Sequence, residues 1–166
     1  PLSVPAFNPK EHLCRGDVFI VNDGLRILIK WSKTIQARER VLLIPIQAIP
    51  GHLLCPRAAY LQMIAAVPAS KNMSLFTLPG GKPLTVSQYV DKLHNTLSIN
   101  GINKSDYSPH SFRRGGATLA FESEVAPLLI KSQGDWRSDA YLEYIDLSVE
   151  HRTLLGRALA KAVTAT

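Results

Sequence analysis

Strand-type and helix-type patterning occupy different parts of this chain, and the changeover between Pro45 and Gly51 restricts it to a small sheet followed by a helical body. Asp17–Ile20 and Leu25–Trp31 are apolar-rich runs on either side of Asn22-Asp23-Gly24. That is a hairpin signal, because these three residue types accept the backbone angles of a tight turn. Val41-Leu42-Leu43-Ile44-Pro45 predicts a third short strand, ended by its proline. After Ile49-Pro50-Gly51 the apolar spacing becomes helical. One helix is predicted over Cys55–Ala66, stopping before Pro68. A second spans Thr85–Ile99, with Val86, Tyr89, Val90, Leu93 and Leu97 on one side and an end near Gly101. Ser108 and Pro109 read as an N-cap with proline at the first helical position. Val125–Ser132, ending at Gly134, and then Ser138–Ile145 and Ser148–Val163 complete the helical set. There is no repeat or low-complexity tract. The expectation is an α+β, mostly α fold: a three-stranded antiparallel sheet, then helices, in a single domain over 1–166.

A chain of 166 residues can bury a core as one domain, and 46% hydrophobic with 19% charged residues fits a soluble globular protein. No apolar run approaches the roughly 20 residues of a membrane span, so no membrane partner is expected. Pro1-Leu2-Ser3-Val4-Pro5 lacks the basic and apolar regions of a signal peptide and reads as part of something longer. Cys14 and Cys55 have neither metal-ligand spacing nor a disulfide framework, which points to reduced thiols in the nucleus or cytosol rather than secretion. His12, His52, His94 and His151 share no ligand spacing, so no metal and no cofactor are expected. Gly80-Gly81-Lys82-Pro83 is too short for a P-loop and has proline where that motif needs Ser or Thr. The net charge of +6 favours a polyanionic partner, because counterion release drives binding to nucleic acid.

His110 and Arg113 stand three residues apart on a predicted helix and so share a face. An imidazole that moves protons beside a guanidinium that forks onto phosphate oxygens suits phosphodiester chemistry. Tyr144, thirty-one residues after Arg113, supplies a phenol that can attack and later leave. Each piece alone has a plainer reading. A His-x-x-Arg pair is often a surface feature, a lone tyrosine a core aromatic, and a lone loop lysine merely solvated.

Together they carry a resemblance. Ile29-Lys30-Trp31-Ser32-Lys33-Thr34, Ser108-Pro109-His110-Ser111-Phe112-Arg113-Arg114-Gly115-Gly116-Ala117-Thr118 and Gln133-Gly134-Asp135-Trp136-Arg137-Ser138-Asp139-Ala140-Tyr141-Leu142-Glu143-Tyr144 follow in this order. In this the chain resembles the catalytic domain of tyrosine recombinases, the phage-integrase-like family. The nearer likeness is to recombinases of DIRS- and Crypton-type eukaryotic mobile elements. The resemblance implies double-stranded DNA as partner, a nuclear location, and strand cleavage and rejoining through a 3′-phosphotyrosine, serving DNA recombination and integration.

Residue by residue, it implies Tyr144 as nucleophile, nine residues after Asp135, with Tyr141 as a nearby decoy. Arg113 would clamp the phosphate, His110 would assist proton transfer, and Lys33 would protonate the leaving 5′ oxygen, with Lys30 as its rival. Arg114, Lys30 and Arg137 are candidate DNA contacts. Asp135 stands where the family has His or Trp, and Trp136 is the neighbour that can supply an apolar wall and an indole donor instead. The family also needs an arginine on a helix before the sheet, and Arg15 is a poor substitute for it. Losing such a donor costs on the order of 100- to 1,000-fold in rate, so these residues alone are expected to be weak or inactive. A catalytically inactive DNA- or protein-binding relative is the alternative, and a type IB topoisomerase a more distant one. Gly115-Gly116 reads as close helix packing, ahead of room for DNA. Leu154, Leu155, Leu159 and Val163 stripe the last helix, which suits self-association on DNA or packing on its own domain.

Overall fold

The computed structural model describes residues 7–31, 41–136, 138–145 and 149–164. Strands β1 (Val18–Val21), β2 (Gly24–Ile29) and β3 (Leu42–Gln47) form an antiparallel sheet in the order β1-β2-β3. Helices α1 (Pro56–Ala66), α2 (Val86–Ile99), α3 (Pro109–Glu122), α4 (Pro127–Gln133) and α5 (Val149–Thr164) follow. The fold is therefore α+β and mostly α. Two compact units divide the chain, Pro1–Tyr89 and Val90–Thr166, with the boundary inside α2. Among the described residues no helix is long and apolar enough to cross a membrane.

In the first unit the register aligns Ile20, Leu25 and Ile46 in one row of the sheet and Val18, Ile27 and Ile44 in the next row of the same face. Leu25 is buried at the centre, a burial worth about 1.5–3 kcal/mol. Helix α1 packs across β2 and β3. Gly24 follows the two-residue turn, and a Cβ there would run into the Ile46 carbonyl and the Ala48 amide, so this position tolerates no side chain. Pro45 does not end its strand as the sequence predicted. Along β3 exposure alternates and the strand continues to Gln47, because β3 is an edge strand of the described sheet, where a missing N–H costs least.

Charged groups in this unit are held by local partners. Asp17 accepts from the Cys14 amide at 2.8 Å and pairs with Lys30 Nζ at 2.8 Å. Lys30 also donates to the Pro9 carbonyl at 3.0 Å. Arg15, only 6% exposed, donates from Nη2 to the carbonyl of Val67, the C-cap of α1, at 3.0 Å. Both cysteines are free and buried. Burial pushes the Cys14 thiol up, whereas the Ala58 and Ile49 amides draw the Cys55 thiol down.

Three helices of the second unit end in the same way. The N–H two residues past the cap bonds back five residues, and the preceding N–H bonds back three, which is the Schellman arrangement. These pairs are Ile102 to Leu97 and Gly101 to Ser98 after α2, Val125 to Ala120 and Glu124 to Phe121 after α3, and Trp136 to Lys131 and Asp135 to Ser132 after α4. The left-handed residue is glycine only once: φ is 70° at Gly101, 58° at Glu124 and 52° at Asp135. Val125 is thus used to close α3, and α4 begins later than its predicted start, with Pro127 at N1. The predicted helix over Ser138–Ile145 is a 3-10 segment, Asp139–Tyr144, capped by the Ser138 hydroxyl. Ala117, Ile130 and Tyr141 form the buried core of this unit, with Phe121, Trp136 and Tyr144 packed against it.

Candidate functional site

The site is built on the first turns of α3 and on the segment after α4. Ser108 precedes α3 in an extended conformation, its N–H donating to the Ser111 hydroxyl at 3.0 Å, and Pro109 opens the helix. This sets His110 at the second helical position and Arg113 one turn later on the same side. The 3-10 segment brings Tyr144 to them. In a 3-10 helix residues three apart eclipse, so Tyr141 and Tyr144 face the same way. Tyr141 is 6% exposed and lies in the core, whereas Tyr144 is half-buried at its rim. The Tyr144 and His110 rings stack, with centroids 6.2 Å apart and planes 18° from parallel. Thr118 Oγ1 donates to the Tyr144 carbonyl at 3.1 Å and ties the nucleophile candidate's backbone to α3.

Arg113 reaches the loop that closes α4. Its Nη2 donates to the Gly134 carbonyl at 2.7 Å, and its Cζ lies 4.1 Å from the Trp136 ring centroid. Trp136 also meets Tyr144 at 5.9 Å and Tyr141 at 6.0 Å, both tilted. Lys131 and Asp139, 2.8 Å apart, bracket this loop with an ion pair. Asp135 serves the backbone here. It occupies the left-handed position of the Schellman turn, where glycine is usual and Asp or Asn is tolerated.

Four of the expected residues, His110, Arg113, Trp136 and Tyr144, thus surround one spot. Lys33 and Arg137 lie outside the described residues. Lys30 belongs to the first unit, just past the end of β2, where Asp17 and the Pro9 carbonyl hold it. Arg114 is exposed and lines a shallow groove of about 290 Å³ with Ser111, Gly115, Thr118, Leu119 and Glu122. At Gly115 and Gly116 a Cβ would meet nothing within 4 Å, so close packing among the described residues does not explain the pair. Leu154 is exposed on α5, and the side chains of Leu155, Leu159 and Val163 lie outside the described residues.

The sequence marks Gly134 only as a helix end, and it assigns no role to Thr118 or to the Lys131–Asp139 pair. Only the Gly-x-Trp spacing after a helix hinted at more for Gly134, since a Schellman turn delivers its second outer residue back over the helix end. Compared with known protein families, curated proteins and solved structures, the chain matches none.

Proposed function

We propose that this chain is a DNA strand-cleaving and rejoining domain of the tyrosine-recombinase type, acting on double-stranded DNA in the nucleus. The observation that carries this reading is the convergence of Tyr144, His110 and Arg113 at the rim of one small core, with Tyr144 stacked on His110. In the proposed reaction the Tyr144 oxygen attacks a backbone phosphorus while the phenol proton passes to His110. The bond from phosphorus to the 5′ oxygen breaks, and that oxygen takes a proton from Lys33. A 3′-phosphotyrosine remains, and attack by a DNA 5′ hydroxyl reverses the steps. Arg113 neutralises charge building on the non-bridging oxygens, the largest single contribution such a site makes.

Incubation with a suicide-nicked duplex tests this reading: a covalent protein–DNA adduct is expected, and it disappears in Tyr144→Phe. An adduct unchanged by Tyr144→Phe overturns the nucleophile assignment. Asp135, standing where the family has His or Trp, favours a second reading, a relative that holds DNA or a protein without cutting. That reading predicts a salt-sensitive gel shift and no adduct. Self-association on DNA through α5 belongs to the same proposal, supported by the exposed Leu154.

A further inference from the structure

We propose, on the basis of the recombinase reading of this site, that Trp136 is the positioning residue of Arg113, and that Gly134 is glycine to let the indole reach it. The backbone fixes where Trp136 starts, through its N–H bond to Lys131 at 3.0 Å. Its ring then folds back over the helix end. A Cβ on Gly134 would fall among ring carbons of Trp136, so any side chain there expels the indole. The φ of Gly134 is −85°, which every L-residue adopts, so contact with the ring and not backbone freedom selects glycine.

The indole thereby supports the cationic group of the site. Its face carries the Arg113 guanidinium at 4.1 Å, and the same ring meets Tyr144 at 5.9 Å. The guanidinium is held over the ring and at one edge, by the 2.7 Å bond from Nη2 to Gly134. A guanidinium has five N–H donors in a rigid fork, so fixing one face and one edge aims the remaining donors in a set direction. Exposed Arg113 has no other support among the described residues that would hold this orientation. Without the indole the charge stays in the site but its direction is lost, and misplacement of about 1 Å in a catalytic group costs up to about a hundred-fold in rate.

Single-turnover cleavage of a nicked duplex and the Kd for the uncleaved duplex separate positioning from binding. Trp136→Leu and Gly134→Ala are expected to slow cleavage about ten- to a hundred-fold, with Kd changed by less than about three-fold because the phosphate charge partner is retained. Trp136→Phe, which keeps a π face for the cation, is expected to recover most of the rate. In an Arg113→Gln background Trp136→Leu adds no further loss. Equal losses for Phe and Leu, or losses that multiply in the Arg113→Gln background, overturn the proposal. If Gly134→Ala does not fold, the Phe and Leu pair decides alone.

A DNA-free measurement keeps the outcome independent of the recombinase reading. In a Trp31→Phe protein Trp136 is the sole tryptophan, and Arg113→Gln is expected to change its emission while Arg114→Gln does not. Emission unaffected by Arg113→Gln sinks the contact itself. If emission responds but the wild-type chain forms no adduct, the recombinase reading fails and the Trp136–Arg113 coupling stands.

Discussion

Arg15 and Arg113 make the same bond in different surroundings. Each donates from Nη2 to the carbonyl of a helix C-cap, Val67 after α1 and Gly134 after α4, at 3.0 and 2.7 Å. Arg15 is buried, and its Nε and Nη1 find no acceptor among the described residues. Arg113 is exposed, with its face on an indole. For Arg15, a charge-assisted bond of about 1.5–3 kcal/mol and a helix-end term of about 0.3–1 kcal/mol oppose about 1–3 kcal/mol for each buried donor lacking a protein acceptor. The sum lies near zero. For Arg113 the protein contacts are worth little more, about 0.5–1 kcal/mol for an exposed cation–π pair. Neither arginine is a large source of stability. What separates them is access: solvent, and hence a phosphate, reaches only the second.

The sharpest way to break this contrast is Arg113→Gln. Cleavage is expected to fall about 100- to 1,000-fold in the adduct assay, as for removal of one charge-stabilising donor. Stability, followed by urea unfolding, should change by less than about 1 kcal/mol. A large loss of stability instead would make Arg113 a structural residue like its counterpart. Arg15→Met tests the other side. Replacing a poorly satisfied buried ion by an apolar chain of similar length is often neutral, so the unfolding free energy should stay within about 1 kcal/mol of wild type. A loss of 3 kcal/mol or more, on the scale of about 3–5 kcal/mol for breaking a well-made buried pair, would show that the Val67 bond outweighs the two other nitrogens.

The smallest effect concerns the helix ends that frame the site. Glu124 and Asp135 stand where Gly101 serves α2. A left-handed L-residue costs about 1–2 kcal/mol, offset in part by the greater unfolded freedom of glycine, about 0.4–1 kcal/mol. Glu124→Gly is therefore expected to stabilise by about 0.5 kcal/mol, seen as a small rise in Tm. A fall in Tm would mean that the Glu124 side chain contributes more than its backbone strain costs.

Much of the architecture was legible because it rests on local rules. The hairpin turn at Asn22-Asp23, the Ser108-Pro109 helix start and the amphipathic spacing from Val86 to Leu97 each carry their own signal within a few residues. The departures came where a neighbour outvotes the local pattern. Pro45 continues a strand because that strand lies at the edge, and Val125 is withheld from α4 because it closes α3. The site was legible as a set of residue types, and the two tyrosines show the limit. Only the resemblance's nine-residue spacing from Asp135 told Tyr144 from Tyr141, and packing buries Tyr141 among Ala117 and Ile130 and leaves Tyr144 against His110.

By itself the sequence determined where strands give way to helices, where α3 starts, and that His110 and Arg113 share a face of it, because these depend on backbone preferences and spacing along one element. Tertiary structure alone decided that the Tyr144 ring stacks on His110, that Trp136 carries Arg113, and that Gly134 makes room for the ring. Those are contacts between residues far apart along the chain or across a turn. Their geometry depends on how side chains fill the space between elements, which spacing along the chain does not encode.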